Sequence, residues 1–367
     1  MDFQERPVLV FWEMTRACPL TCVHCRASAI SQALPGELTT EEGRAFLDRL
    51  LDFGRPFPTV ILTGGDPLMR SDLFNLIDHA RGLGLHVAVS PAVSERLSPS
   101  TLRRLHDLGV SAVSLSLDGG VPSTHERIRR SPGLFARTLQ AIDAANEAGL
   151  KVQVNSTVMH GNVEEFPRLF SQIYDRGVRT WEVFFLIRTG RGVDLEELTP
   201  EESEDVCHFL YEASRYGAVV RAVEAPFLRR VLRERNSLVE ARRGLLYGQL
   251  HRELEERMGP GTRAPSLSPH GTLDGDGILF VGYDGTVFPG GFLGYRLGNL
   301  REQSPIDLYR QNDVLRRIRA RELHGPCGAC THRSVCGGSR ARAYVATGDP
   351  LGSDPACGYA GHLAAVA

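Results

Sequence analysis

Cys18, Cys22 and Cys25 stand in the run Thr15-Arg-Ala-Cys-Pro-Leu-Thr-Cys-Val-His-Cys25, a C-x3-C-x2-C spacing directly after an apolar segment, Val8 to Glu13. Three thiolates in one short loop are one too few for a closed four-ligand site. They can bind three irons of a cubane [4Fe–4S] cluster and leave the fourth iron open to a substrate or cofactor. A structural zinc knuckle would more often show two separated cysteine pairs, or Cys and His at tetrahedral spacing. A second group, Cys327-x2-Cys330-x5-Cys336 and then Cys357, offers four thiolates. Four are enough to close one further cluster, and a closed cluster is suited to passing electrons, not to binding substrate. Zinc on the same four, with His324 or His332 competing, is the alternative chemistry. The eighth cysteine, Cys207, lies in a helix-like run with Val206 and Leu210 and reads as a small buried hydrophobe.

The elements that must position these residues alternate along the first two thirds of the chain. Strand-like runs rich in Val, Leu, Ile and Phe fall at Val8–Glu13, Thr59–Leu62, His86–Ser90, Ala112–Leu117, Val152–Val158 and Thr180–Leu186. Such apolar strands suit a parallel sheet covered on both faces. Helical runs separate them. Thr39-x-x-Glu42 is a capping box, and Ser98-Pro99 and Thr199-Pro200 are cap-then-proline starts. Leu73, Leu76, Ile77 and Ala80 keep helical spacing after a Ser71 cap. Gly109 and Gly149 fall where helices hand over to strands. Six strand–helix units with right-handed crossovers give an α/β fold that curls into a partial (β/α)6 barrel. Sites of α/β barrels sit at strand C-termini, which is where the cysteine loop falls. After residue 217 the alternation stops. A charged helical stretch covers about 227 to 258, a Gly/Pro/Ser-rich loop covers 259 to 271, and Ile278–Tyr283 with Thr286–Phe288 around Asp284-Gly285 reads as a β-hairpin. We therefore divide the chain into a barrel, 1–217, and an extension, 218–367.

Composition removes several classes. A net charge of −2 offers no general attraction to nucleic acid, and no apolar run approaches membrane-helix length. The N-terminal residues lack a signal-peptide pattern, so a cytoplasmic setting is expected, where cysteines act as metal ligands more readily than as disulfides.

The cysteine triplet resembles the signature of the radical S-adenosylmethionine (SAM) enzymes, with His24 at the position that is usually aromatic. Further segments carry the resemblance. Leu62-Thr-Gly-Gly-Asp-Pro67 is similar to the family's Gly-Gly-Glu-Pro motif, with Asp66 in place of Glu. Ser114-Leu-Ser-Leu-Asp-Gly119 resembles its Ser-Leu-Asp-Gly segment, and His125-Glu-Arg-Ile-Arg129 its His-Asp-x-x-Arg, with Arg130 replacing a glycine. The resemblance implies a TIM-type partial barrel and a SAM-binding [4Fe–4S] cluster on Cys18, Cys22 and Cys25. It implies SAM contacts from His24, Gly64, Gly65, Asp66, Ser116, Asp118, Arg129 and Asn155, with Arg129 meeting the SAM carboxylate. It also implies reductive cleavage of SAM to a 5′-deoxyadenosyl radical that abstracts hydrogen from substrate, and a flavodoxin- or ferredoxin-type reductant as partner. Beyond the barrel the chain resembles the SPASM/Twitch extension, which carries auxiliary [4Fe–4S] clusters. Gly290 and Ser339 stand where fuller relatives have cysteines, so one auxiliary cluster is implied, on Cys327, Cys330, Cys336 and Cys357. The subgroup that modifies haem-type tetrapyrroles and the peptide-modifying SPASM enzymes are the nearest in appearance. No leader-peptide-binding domain precedes the first strand, which favours a tetrapyrrole or other small substrate over a peptide. A non-catalytic iron–sulfur or zinc redox or binding protein is the alternative of another class; it would have no need of the SAM set.

Overall fold

The structure, a computed structural model, describes residues 3–235, 243–267 and 271–359. The expected strands form as β1 (Leu9–Glu13), β2 (Thr59–Thr63), β3 (Val87–Val89), β4 (Ala112–Ser116), β5 (Lys151–Val158) and β6 (Thr180–Phe185). They pair in sequence order and in parallel. Between them run α1 (Thr40–Arg49), α2 (Leu73–Gly82), α3 (Pro99–Asp107), α4 (Pro122–Arg129), α5 (Leu134–Glu147) and α6 (Phe166–Asp175), and α7 (Pro200–Ser214) follows β6. Thr39 and Thr199 close reciprocal capping boxes with Glu42 and Glu202, so two otherwise unmet N–H groups are satisfied at each helix start. Ser98 caps α3 through Thr101 N–H. The cap of α2 is Asp72 and not Ser71; its carboxylate is occupied by Arg70 and Thr40.

The sheet does not end at β6. β7 (Val219–Val223) adds to it in parallel, and β8 (Ile278–Val281) pairs in parallel with β1 on the opposite flank. β9 (Thr286–Phe288) and β10 (Gly298–Asn299) extend that flank antiparallel. Ten strands among the described residues thus make one sheet, ordered β10-β9-β8-β1-β2-β3-β4-β5-β6-β7. β7 escaped the sequence reading because Val219 and Arg221 face solvent, so the run lacks the apolar density of its neighbours. The charged stretch after residue 227 forms helices Leu228–Arg235 and Leu245–Met258; 236–242 between them, and 268–270 of the following loop, lie outside the described residues.

Alternation along the strands separates two surfaces. Val152, Val154, Ser156 and Val158 are buried on one side of β5, and Gln153, Asn155 and Thr157 are half-buried on the other. The buried side faces helices. On β6, Trp181 packs its indole against Phe166 and Phe170 of α6 and Phe209 of α7, and its N–H donates to Ser156 Oγ at 3.0 Å. A buried aromatic cluster of this kind contributes several kcal/mol, on the order of 3–5 for one Phe→Ala truncation. Gln153, Asn155, Glu182 and Phe184 are therefore left for the concave surface of the barrel.

Candidate active site

The loop from Met14 to Ile30 leaves the C-terminal end of β1 and carries the cysteine triplet. Its base closes when Cys18 N–H donates to Ile30 O at 2.7 Å and Ile30 N–H to Arg16 O at 3.0 Å. Gly64 and Gly65 lie against it. Gly65 N–H donates to Thr15 O and Asp66 N–H to Ala17 O, both at 2.7 Å. A Cβ on Gly64, where φ is +138°, would stand 2.4 Å from Thr15 O, and one on Gly65 2.3 Å from Ala17 O. Only glycine allows this contact between two backbones. From the other side Arg191 donates through Nε to Cys22 O at 2.8 Å and through Nη1 to Ala29 O at 2.6 Å. Gly190, at φ +57°, packs onto Cys25 O, 2.4 Å from where its Cβ would be. The loop is thus clamped by segments after β2 and β6.

Each sulfur of the triplet has a donor aimed at it. Leu20 N–H lies 3.4 Å from Cys18 Sγ, Ala29 N–H 3.4 Å from Cys25 Sγ, and Arg129 Nη1 3.7 Å from Cys22 Sγ. Such donors stabilise thiolate ligands and tune a cluster. Burial, with Asp66 adding to it, pushes the Cys18 thiol up to about 12, so metal binding must displace its proton. Among the described residues no three His, Cys, Asp or Glu side chains gather around a point for one metal ion.

Asp118 is the hub behind Cys22. Its Oδ2 accepts from Arg129 Nε at 2.6 Å, with Arg129 Nη2 also at 2.6 Å, and its Oδ1 accepts from Thr157 N–H at 2.8 Å. Burial alone would raise the Asp118 carboxyl, but Arg129, His24, His125 and the Thr157 N–H hold it below the usual range. His24 places Nε2 3.6 Å from the same carboxylate, and burial pulls its pKa down to about 4, so its ring is neutral. His24 Nδ1 is buried without a hydrogen-bond partner. The structure therefore gathers His24, Asp118, Arg129 and Cys22, which lie 107 positions apart at the extremes. Ser116 and Asn155 face each other across β4 and β5, and Asn155 Oδ1 accepts from Gln153 Nε2 at 2.8 Å. Asp66 is enclosed: its carboxylate accepts from Leu68 N–H, Ala92 N–H and Ser94 Oγ, so its side chain holds the turn after β2.

Cys327, Cys330, Cys336 and Cys357 line one pocket, together with Gly337, Gly338 and Tyr359. Backbone N–H groups of Asp354, His332 and Gly338 point at the sulfurs of Cys327, Cys330 and Cys336, at 3.5, 3.3 and 3.4 Å. His324 is engaged by Asp349 at 2.6 Å, and the His332 ring packs on Tyr359. Ser339 caps helix Arg340–Thr347 and donates to Glu224 Oε2 at 2.5 Å. A Cβ at Gly290 would overlap Asp274 Oδ1, at 1.7 Å. Asp274 is buried beside the half-buried Glu224; burial, then the Glu224 charge, raises Asp274 well above the carboxylate range. Arg342 ties this region to the barrel through Leu186 O at 3.3 Å and to Asp354 at 3.2 Å.

Sequence reasoning missed Glu13, Arg26, Arg191 and the Glu224–Asp274 pair. Glu13 and Arg26 flank the cysteine loop and bond each other at 2.5 Å; adjacency to the triplet was the available signal. The acidic pair left only an indirect trace, the absence of cysteine at Gly290 and Ser339.

Comparison with known proteins agrees with this geometry. The family model for the radical SAM superfamily matches residues 12–173. The chain is 36% identical over 355 residues to an AdoMet-dependent heme synthase of Methanosarcina barkeri, covering 96% of this chain and 97% of that protein. It is 28% identical to the mycofactocin maturase MftC of Mycobacterium ulcerans, covering 96% and 88%. Among solved structures, SuiB of Streptococcus suis bound to the precursor peptide SuiA superposes with a TM-score of 0.69 at 16% identity, over 96% of this chain and 76% of that one, a likeness of fold.

Proposed function

The chain belongs to the radical SAM superfamily and is a radical SAM enzyme, and from that premise we propose that it acts on a haem-type tetrapyrrole. The observation that carries the substrate is the 36% identity, along almost the whole of both chains, to a protein named as a heme synthase. Enzymatic membership sets aside the non-catalytic alternative.

Family membership brings a [4Fe–4S] cluster and SAM, and the residues present fit both. Cys18, Cys22 and Cys25 would hold the cluster, each sulfur met by one N–H. The carbonyls of Gly64 and Gly65 are the groups left to accept from the SAM ammonium, because the N–H groups of Gly65 and Asp66 hold the loop. Arg129, fixed in plane by Asp118, keeps two further N–H bonds for a carboxylate, a task suited to guanidinium. The unpartnered His24 Nδ1 and the Ser116–Asn155 pair would take adenosine contacts. When bound, the cluster and SAM together supply one-electron cleavage to a 5′-deoxyadenosyl radical. Asp66 contributes by backbone, not by its enclosed carboxylate.

We assign one auxiliary [4Fe–4S] cluster to Cys327, Cys330, Cys336 and Cys357. The shared pocket supports it, as does the absence of His324 and His332 from its lining. Asp274 and the Ser339–Glu224 bond fill the space beside Gly290 and Ser339, which supports one cluster and not two. The division into a barrel at 1–217 and an extension at 218–367 stays our reading, with β7 and β8 of the extension completing the barrel's sheet. A flavodoxin- or ferredoxin-type protein would deliver electrons in the cytoplasm. Among the described residues no helix is long and apolar enough to cross a membrane.

A second reading, a peptide-modifying maturase, is favoured by the 28% identity to MftC. One experiment separates the two. Anaerobically reconstituted protein with dithionite and SAM is given iron-coproporphyrin III or a precursor peptide. Substrate-dependent 5′-deoxyadenosine with loss of carbon dioxide from the porphyrin is expected. Unchanged porphyrin, with deoxyadenosine and a mass change on the peptide, would reverse the assignment.

A further inference from the structure

A pocket opens between the cysteine loop and the β8–β9 hairpin. Glu13, Arg16 and Arg26 form its cysteine-side wall, and Phe280, Phe288 and the run 290–294 form the other. The residues assigned to SAM do not line it, yet Arg16, Arg26 and Ala27 do, so one wall of the pocket belongs to the loop that carries the cysteine triplet.

Its chemistry is specific in three respects. The first is aromatic: Phe280 lies 6.3 Å from the Phe288 ring, and Phe292 lies 6.0 Å from Phe184 of β6. The second is the glycine wall. A Cβ at Gly294 would meet nothing nearer than 3.9 Å, and one at Gly291 only the Phe280 ring, at 3.4 Å, and Arg26. Neither residue has a positive φ, so neither packing nor a turn requires glycine there. What the missing side chains leave is open space beside the backbone. The third is charge. The Arg26 guanidinium lies 4.6 Å above the Phe280 ring and is held at 2.5 Å by Glu13, which is 7% exposed. One partner and one ring fix its plane while most of its five N–H donors remain for a ligand.

We propose that this pocket seats the flat face of a tetrapyrrole against the Gly290–Gly294 wall, with Arg26 binding a propionate-type carboxylate beside the cysteine loop. The proposal rests on the tetrapyrrole reading and deepens it. A carboxylate held by the residue after Cys25 brings its side chain beside the loop that would carry the N-terminal cluster. Glu13 orients Arg26 and keeps the pocket from carrying excess charge when it is empty.

The test is a binding titration on the full-length protein with its clusters in place, followed by the absorbance of the porphyrin. Iron-coproporphyrin III is compared with its tetramethyl ester, which keeps the macrocycle and removes the negative charges. Arg26→Gln is expected to weaken the acid roughly 10- to 100-fold, as for one charge-assisted hydrogen bond, and to leave the ester unchanged. Arg26→Lys should recover part of the loss. Gly291→Val, which fills the wall, should weaken both ligands alike. Iron content and circular dichroism establish that each variant is folded and loaded. Equal weakening of acid and ester by Arg26→Gln, or parent-like binding by both variants while the parent converts the acid, would overturn the pocket and leave the tetrapyrrole reading standing. A parent protein that binds neither porphyrin would overturn the tetrapyrrole reading itself.

Discussion

Arg129 shows how one residue serves two masters. Its bond to Asp118 is buried and close, and its Nη1 points at Cys22 Sγ, so it organises the site before any ligand arrives. Arg129→Ala should weaken SAM by about 1.5–3 kcal/mol, the range for a hydrogen bond to a charged group, as read by equilibrium binding to the cluster-loaded protein. Unaltered SAM affinity would mean that the arginine is structural only. Asp274 permits a prediction of a different kind. Burial and Glu224 raise its pKa in the folded protein. The native state therefore holds a proton that the unfolded chain releases above pH of about 4. By linkage, that contribution is complete at low pH and is lost as pH rises through the folded value. Asp274→Asn keeps the shape and a donor toward Glu224 while removing the titration. Its melting temperature should gain on the parent progressively from pH 5 upward, whereas a constant difference across pH would show that Asp274 is not raised in the folded protein.

The cysteine loop is an element without regular secondary structure, and its order comes from neighbours. The triplet itself was legible because three thiols at that spacing have few other uses. The clamp was not. Gly64 and Gly65 were read for their closeness to a ligand, but their immediate steric demand comes from Thr15 and Ala17 of the loop. Arg191 went unread, because its bonds to Cys22 O and Ala29 O join segments more than 160 positions apart. A Cβ at residue 65 strikes backbone and not a side-chain tip, so the loop itself must move. Gly65→Ala should therefore lose the N-terminal cluster and retain the C-terminal one, with iron falling by about half from roughly eight per chain on the arithmetic of two cubanes. Retention of all the iron would show that the loop tolerates the shift. Replacing Cys18, Cys22 and Cys25 together by Ala should give the same half-loading, and zinc in place of the remaining iron would overturn the auxiliary cluster.

At the scale of the whole molecule, local patterns reported the six barrel strands and the hairpin to within a residue or two. They could not report that β8 lies against β1, because a parallel partner 269 residues away leaves no mark on either strand's own alternation. β7 went unread for a different reason, its solvent-facing Val219 and Arg221, and the sheet looked shorter than it is. The parallel seam between β1 and β8 has a consequence for anyone who would work with the barrel alone. β1 is an interior strand only because β8 covers it. A chain ending at residue 217 would bare β1 along one margin and, with β7 gone, β6 along the other. Both are apolar, and each would present a row of unmet backbone groups, a template for pairing with another copy. Such a fragment should self-associate at micromolar concentration in size-exclusion chromatography, and a stable monomer would contradict this. The C-terminal part is then a cover for the barrel's raw seam as much as a carrier of cysteines, and an insertion that loosened it would threaten solubility before it touched chemistry.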